Sequence, residues 1–224
     1  MQRRTMLKGL GVLAIATPIA GWMASAGAKK EEENEFLTLP QVIPGDGVPA
    51  GKIEVIEFFH FGCPHCRQFE STIAQWSKSL PEDVYFHRVP VTWNSEGLTN
   101  LARVYYSLNE AKLLDQLSER VFNAVQKERI VFESADVLRD WAAKQEGIDD
   151  KAAQSLADMY GSFGMGAMLD RGRRIERAYG VRGVPMIAVG GRYTTSGDQV
   201  KNHTNEAMLP VVDALIERLR GKKK

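Results

Sequence analysis

The chain has 224 residues, of which 44% are apolar, and a formal net charge of +1, so it can bury a full core. Outside residues 1–28, 28 acidic residues stand against 26 basic ones, a balance that excludes the basic footprint of a nucleic-acid-binding protein. Its two cysteines are too few to supply the four ligands of a structural zinc site by themselves.

Residues 1–28 predict a secretory signal peptide. Three basic residues precede the apolar run Leu10–Met23, and small residues up to Ala26 or Ala28 offer the cleavage site. The apolar run is short and is interrupted by Pro18, which disfavours a membrane span, although an uncleaved anchor stays open as the alternative.

The basic residues at the N-terminus also bear on the export route. Arg3-Arg4 resembles a twin-arginine signal, but Gln2 precedes the pair and Met6 stands where that signal has phenylalanine, so we favour the general route for unfolded chains. Either route delivers the chain to an oxidising compartment, the periplasm, where a reactive cysteine pair can cycle.

The segment after the signal carries little regular structure. Residues 29–35 form a charged run without an apolar period and predict a disordered leader. Phe36-Leu37-Thr38-Leu39 predicts a short strand. Six prolines and glycines between Pro40 and Gly51 then predict a turn-rich approach to the next element.

A buried strand leading directly into a helix is predicted over residues 53–80. The run Ile53–Phe59 is mainly apolar and β-branched or aromatic, as in a strand covered on both faces, and the segment ends at Gly62. Pro64 suits the first turn of a helix, where its missing N–H has no partner to lose. The apolar side of this helix then follows Cys66, Phe69, Ile73, Trp76 and Leu80, and Pro81 ends it.

The helix begins with Cys63-Pro64-His65-Cys66, and this spacing predicts redox chemistry. Cys63 lies at the positive end of the helix dipole, which favours a thiolate and makes it the nucleophile. Cys66 faces the buried side of the helix and is expected to be the resolving thiol. His65 adds a possible imidazolium that stabilises the thiolate, so that the disulfide becomes a strong oxidant.

Two other interpretations of this cysteine pair stay open. It could form half of a zinc site, for which the histidines would have to supply the missing ligands. It could also be an inert structural disulfide, although so short a loop gains little chain entropy from closure. We favour the redox interpretation over both.

Downstream, the pattern alternates between strand and helix. Residues 84–91 predict a strand parallel to the first, with Pro90 at its end or on a sheet edge. Residues 98–179 show apolar residues at helical spacing and predict a compact helical block. Residues 181–189 predict another strand, joined through Gly190-Gly191 to a hairpin partner over 192–195. A helix over 205–220 and a basic tail, 221–224, complete the chain.

The sequence E-F-F-H-F-G-C-P-H-C-R-Q-F-E, residues 57–70, resembles the active site of the DsbA family, bacterial periplasmic thiol-disulfide oxidases of the thioredoxin superfamily. The resemblance implies an α/β, thioredoxin-like fold with an inserted all-helical domain. Residues 36–97 and 180–220 would form the thioredoxin-like domain, and residues 98–179 the insert.

The resemblance also implies roles for residues outside the cysteine motif. Val184 and Pro185 would form a cis X-Pro loop that faces the cysteines and pairs with an extended substrate peptide. By itself, the sequence allows Pro185 simply to begin a strand. Glu57 would be a buried acid that shuttles a proton for Cys66, with edge exposure as the alternative. Glu70 is expected to be a surface charge that tunes the local potential.

The function implied by the resemblance is oxidation of newly exported proteins through a mixed disulfide at Cys63. No cofactor is expected beyond the Cys63–Cys66 disulfide, the protein would be a monomer, and a DsbB-type membrane oxidase would reoxidise it. A disulfide reductase or isomerase of the same superfamily is one alternative. A metal-binding module built on Cys63, Cys66 and a histidine is the other.

Overall fold

The computed structural model of the chain describes residues 35–221. The predicted signal peptide lies outside these residues, as do residues 29–34 of the predicted leader and residues 222–224 of the basic tail. Glu35, predicted to end a disordered leader, is instead hydrogen-bonded: its carbonyl accepts from Thr195 Oγ1 at 2.7 Å, and its carboxylate accepts from the backbone N–H of Lys201 at 3.0 Å.

Within residues 35–221 the structure contains five strands and seven α-helices. The strands are β1 (Leu37–Thr38), β2 (Ile53–Phe59), β3 (Val84–Pro90), β4 (Met186–Val189) and β5 (Tyr193–Ser196). The helices are α1 (Pro64–Lys78), α2 (Glu96–Glu110), α3 (Leu114–Gln126), α4 (Ala135–Ala142), α5 (Asp150–Tyr160), α6 (Phe163–Ala178) and α7 (Met208–Gly221).

The strands form one mixed sheet in the order β1-β5-β4-β2-β3. β2 pairs in parallel with β3 through the crossover helix α1, as predicted, and pairs antiparallel with β4 on its other side. Every residue of β2 is buried. β3 lies at the sheet edge, where the missing N–H of Pro90 costs least.

Helices cover both faces of this sheet. α1 and α7 pack on one face, around a core that includes Val55, Ile73 and Val212. α6 packs on the other face, where Ile175 meets Ile56 and other residues of the sheet. This layering follows from the mainly apolar sequence of β2, because a strand buried on both faces needs cover on both.

The helical block forms a third core that continues to the start of α1. Leu108, Phe122 and Leu138 are fully buried in it, in one cluster with Cys63 and Cys66. The residues between the two halves of the sheet therefore pack directly against the cysteine motif. None of the helices within residues 35–221 is both long enough and apolar enough to cross a membrane.

Two predicted boundaries were wrong by a few residues. The strand predicted over residues 181–189 begins at Met186, because Pro185 has no N–H to donate to the ladder. The last helix begins at Met208 rather than at residue 205, after a short 3₁₀ turn over Lys201–His203.

Candidate active site

Cys63 and Cys66 lie at the N-terminus of α1, both as free thiols. Cys63 is the N-cap residue, with extended backbone angles, and its Sγ accepts a hydrogen bond from the backbone N–H of Cys66 at 3.1 Å. Pro64 occupies the first helical position. Cys63 is 5% exposed and Cys66 only 1%, so Cys63 is the more accessible of the two residues.

The pKa values of the two thiols are shifted in opposite directions. The pKa of Cys63 is lowered, first by the hydrogen bond from the Cys66 thiol and then by the backbone N–H groups of Cys66 and His65, against the effects of burial and of Glu57. The pKa of Cys66 is raised, chiefly by burial and then by the hydrogen bond between its thiol and Cys63. When one proton leaves the pair, the negative charge therefore resides on Cys63.

His65 contributes to this site through its backbone and presents its ring to solvent. The whole residue is exposed, like Pro64 before it. The His65 carbonyl also accepts a hydrogen bond from Asn205 Nδ2 at 3.2 Å, which ties the first turn of α1 to the segment before α7.

The loop before β4 lies against the nucleophile. The Val184–Pro185 peptide bond is cis, as the family resemblance implied. The thiol of Cys63 donates to the Val184 carbonyl at 3.5 Å, although the two residues are 121 positions apart. The fold therefore brings the predicted nucleophile and the predicted docking loop together.

Glu57 lies at the centre of a buried charge cluster on the α1 face of the sheet. It is 0% exposed and central in β2, which rules out the alternative of edge exposure. Arg88, its register partner on β3, donates from Nε to Glu57 Oε2, while Oε1 has no hydrogen-bond partner. Burial raises the pKa of Glu57 to about 7, against the opposing effect of Arg88.

The prediction that Glu70 is a surface charge was wrong. Glu70 is 4% exposed and accepts hydrogen bonds from both terminal nitrogens of Arg88, at 3.0 and 2.6 Å. It lies one residue after the fully buried Phe69, so the face of α1 that covers the sheet is wide enough to include it. One buried arginine thus joins the two predicted acids.

Sequence analysis missed Arg88 and Trp93. Arg88 carried a signal, because it is a charge in a mainly apolar strand, paired in a parallel register with another such charge, Glu57. Trp93 follows the carboxyl end of β3, where ligand sites of open α/β sheets collect. Its indole N–H donates to the Val181 carbonyl at 3.0 Å, and its ring meets His60 edge-on at 5.6 Å.

Trp93 is held in place by a buried carboxylate. Its backbone lies in the left-handed region, at φ 39°, and Glu176 of α6 accepts hydrogen bonds from the backbone N–H groups of Thr92 and Trp93 at 2.7 and 3.1 Å. A non-glycine residue with positive φ needs such support from its surroundings. Trp93 thereby bridges the loop before Cys63 and the loop before Pro185.

A metal-binding module, the alternative to a redox pair, requires at least three ligating side chains close together. Across the described part of the chain, no three side chains of histidine, cysteine, aspartate or glutamate come together as a metal site requires. That alternative therefore has no candidate site there.

These features define a class of protein. A strand enters a helix that opens with Cys-x-x-Cys, one thiol of the pair is acidified, and a cis-proline loop faces it on a mixed sheet interrupted by helices. This combination is characteristic of dithiol–disulfide oxidoreductases with the thioredoxin fold.

Comparison with known proteins gives the family. Residues 72–207 match the DSBA-like thioredoxin domain family. The chain is 30% identical over 221 residues to the thiol:disulfide interchange protein DsbA of Burkholderia cepacia, covering 97% of this chain and all of that one. It is 33% identical over 220 residues to the DsbA of Bordetella parapertussis, with 98% and 100% covered.

A solved structure agrees with these sequence matches. The crystal structure of Pseudomonas aeruginosa DsbA superimposes with a TM-score of 0.76 at 31% identity, covering 85% of this chain and 95% of that one. The chain belongs to the DsbA family, and it is a thiol:disulfide oxidoreductase with a thioredoxin-like fold and a helical insertion.

Proposed function

We propose that the protein acts in the periplasm as an oxidase that donates its Cys63–Cys66 disulfide to newly exported proteins. The observation that carries the proposal is the hydrogen bond of 3.1 Å from the Cys66 N–H to the Cys63 sulfur. A donor held at the helix N-terminus stabilises the Cys63 thiolate and hence the reduced form. Because the reduced form is stabilised, the disulfide tends to pass to other proteins.

The reaction begins when a substrate thiolate attacks the Cys63 sulfur of the disulfide. The Cys63–Cys66 bond breaks, its electron pair goes to Cys66, and a mixed disulfide forms between the substrate and Cys63. A second substrate thiolate then attacks the substrate sulfur of that bond. The substrate leaves with a disulfide, and Cys63 receives the electron pair as a stabilised thiolate.

Glu57 is proposed to supply the proton that Cys66 needs after it leaves the disulfide. The pKa of the Cys66 thiol is raised by burial, so its thiolate takes up a proton readily. Glu57 is buried close enough to the pair to influence both thiols, and its own pKa of about 7 lets it give or take a proton near neutral pH. Arg88 and Glu70 would hold this carboxyl in place.

Substrate docking is assigned to Val184 and Pro185. In the dithiol form the Val184 carbonyl accepts a hydrogen bond from the Cys63 thiol. In the mixed disulfide this backbone is proposed to pair with an extended substrate strand, a common mode of peptide recognition. The exposed ring of His65 is proposed to add to the stabilisation of the thiolate.

Each turnover leaves the protein with two electrons to pass on. We propose that a DsbB-type membrane oxidase accepts them, that the protein works as a monomer, and that its own disulfide is the redox group it needs. The predicted signal peptide, residues 1–28, supports the periplasmic location.

Trapping of the mixed disulfide tests this proposal. The full chain with Cys66→Ser is exported in bacterial cells, free thiols are blocked, and periplasmic proteins are separated without and with reductant. We expect adducts that contain the variant and vanish on reduction. The Cys63 thiolate attacks a disulfide of a periplasmic protein, the other sulfur of that disulfide leaves as a thiolate, and a serine at position 66 cannot release the adduct by forming the Cys63–Cys66 bond. Cys63→Ser serves as the control and should give none. If the adducts form with Cys63→Ser instead, the assignment of the nucleophile is wrong.

A further inference from the structure

Gln126, the last residue of α3, reaches from the helical block to the backbone of the cysteine loop. Its side-chain nitrogen, Nε2, donates to the carbonyl of Phe61 at 2.8 Å and to the carbonyl of Cys63 at 3.0 Å. A primary amide has two N–H groups, so one side chain can serve both carbonyls. The two acceptors lie 65 and 63 residues before Gln126.

The two carbonyls flank the turn that aims the nucleophile. That turn is closed by the Cys63 N–H, which donates to the His60 carbonyl at 2.9 Å. The Cys63 carbonyl also accepts the first hydrogen bond of α1, from Arg67 at 3.1 Å. By holding both sides of Gly62, Gln126 fixes the extended N-cap conformation in which the Cys63 sulfur meets the Cys66 N–H.

The amide also improves the electrostatics around the sulfur. Carbonyl oxygens carry partial negative charge, and left without donors beside Cys63 they would disfavour a thiolate. The N–H groups of Gln126 bring partial positive charge to both oxygens. Loss of the amide would therefore destabilise the thiolate in two ways, by loosening the geometry of the turn and by leaving the partial negative charge of the two carbonyls uncompensated.

Helix packing does not account for an amide at this position. The buried face of α3 is supplied by Leu117, Val121 and Phe122, which are all fully buried. Gln116, on the same helix, has the same side chain but is exposed, and donates at 3.3 Å to the carbonyl of Glu146 in another loop. Gln126 thus contacts the backbone around Cys63, whereas Gln116 contacts a loop elsewhere, so a substitution at Gln116 is a matched control for one at Gln126.

We propose that Gln126 is a positioning residue, through which the helical block holds Cys63 in its reactive geometry and sets how strongly the disulfide oxidises its substrates. This inference rests on the proposed oxidase function and adds a purpose for the helical insertion. The insertion then does more than cover the site, because it holds the nucleophile's own backbone.

The test compares Gln126→Met with the unchanged protein. Methionine is unbranched and of similar length, and it donates no hydrogen bond. We expect Cys63 to titrate at higher pH, followed by the ultraviolet absorbance of its thiolate. We also expect the equilibrium with glutathione to move toward the disulfide form by roughly threefold to tenfold, since each lost hydrogen bond is worth a factor of this order. Tenfold corresponds to about 30 mV for two electrons.

A second variant and a control keep the test decisive. In Gln126→Glu the carboxylate repels the two carbonyls, so the pKa of Cys63 should be higher than in Gln126→Met. Gln116→Met should change neither readout. A tether that is merely structural would lower the melting temperatures of the oxidised and reduced forms equally and leave both readouts at the wild-type value.

The possible outcomes separate this inference from the proposed function. If the wild-type chain forms a strongly oxidising disulfide but both Gln126 variants match it, the positioning role is wrong and the oxidase function stands. If the wild-type disulfide itself is not oxidising, the proposed function fails first, whatever the variants show.

Discussion

At Glu57, burial makes a carboxyl group sensitive to pH near neutrality. Its pKa is about 7 in the folded protein, against an ordinary value of 4.5, because burial outweighs the attraction of Arg88. The folded chain therefore binds this proton more tightly than the unfolded chain does. The stabilisation from this proton is fully present below about pH 4.5 and is lost as pH rises through about 7.

Replacing this group should remove its part of the pH dependence. Wild type loses the stabilisation from this proton as pH rises, and Glu57→Gln does not. We therefore expect the difference in the free energy of unfolding, variant minus wild type, to increase by up to about 3 kcal/mol between about pH 4 and pH 8. Urea unfolding across this range measures it, with the exposed Glu82→Gln as control. A difference between Glu57→Gln and wild type that stays constant with pH would mean that Glu57 does not titrate there.

At the scale of one element, the N-terminus of α1 offers both backbone and side-chain groups that can stabilise the Cys63 thiolate. The backbone N–H groups of His65 and Cys66 both lower the pKa of Cys63. They belong to the helix itself and survive a change of side chain at position 65. The His65 ring is exposed, so its contribution can be removed without disturbing packing.

Removing the ring with His65→Ala isolates that contribution. We expect the disulfide to become less oxidising by roughly tenfold in its equilibrium with glutathione, because the ring is proposed to stabilise the Cys63 thiolate. Gln68→Ala, an exposed uncharged residue in the same part of α1, serves as control. If His65→Ala and Gln68→Ala have the same equilibrium with glutathione, the His65 ring does not contribute and this prediction is wrong.

The elements themselves were largely predictable from the sequence. β2, α1 and β3 were predicted because their apolar periods, proline positions and crossover connection all agree. The start of β4 was not, since Val181 and Val184 extend the apolar run of the strand toward the N-terminus, and only the hydrogen bonds of the sheet show that β4 begins at Met186. Glu70 was misplaced because helical spacing shows the centre of a buried face but not its width.

The site was predictable only where local sequence carries it. The order Cys63-Pro64-His65-Cys66 indicates a nucleophile by itself, and the resemblance supplied Val184 and Pro185. Gln126 carries no local signal, because its role depends on where α3 ends relative to the cysteine loop. Tertiary contacts of this kind, between segments more than 60 residues apart, are invisible to spacing arguments.

At the scale of the whole molecule, the helical block and the cysteine motif share one core. Phe122 of α3 is fully buried, and its ring lies 4.9 Å from that of Phe61, beside Cys63. Trp141 lies in the block, while Trp76 lies in α1 on the sheet. Each can report on its own part of the chain through its fluorescence.

We expect one cooperative unfolding transition. In single-tryptophan variants that keep either Trp76 or Trp141, Phe122→Ala should lower stability by about 3–5 kcal/mol and move both transitions together. Phe163→Ala, at a fully exposed phenylalanine, should leave them unchanged. A shift confined to the Trp141 signal would show instead that the helical block unfolds independently of the sheet.

The redox equilibrium of the wild-type chain with glutathione tests the central claim most directly. Thiol labelling follows the Cys63–Cys66 disulfide across a series of reduced and oxidised glutathione. The stabilised Cys63 thiolate predicts a potential well above the roughly −270 mV of thioredoxin, as an oxidase that donates its disulfide requires. A potential at or below that of thioredoxin would contradict the account and make the protein a reductase.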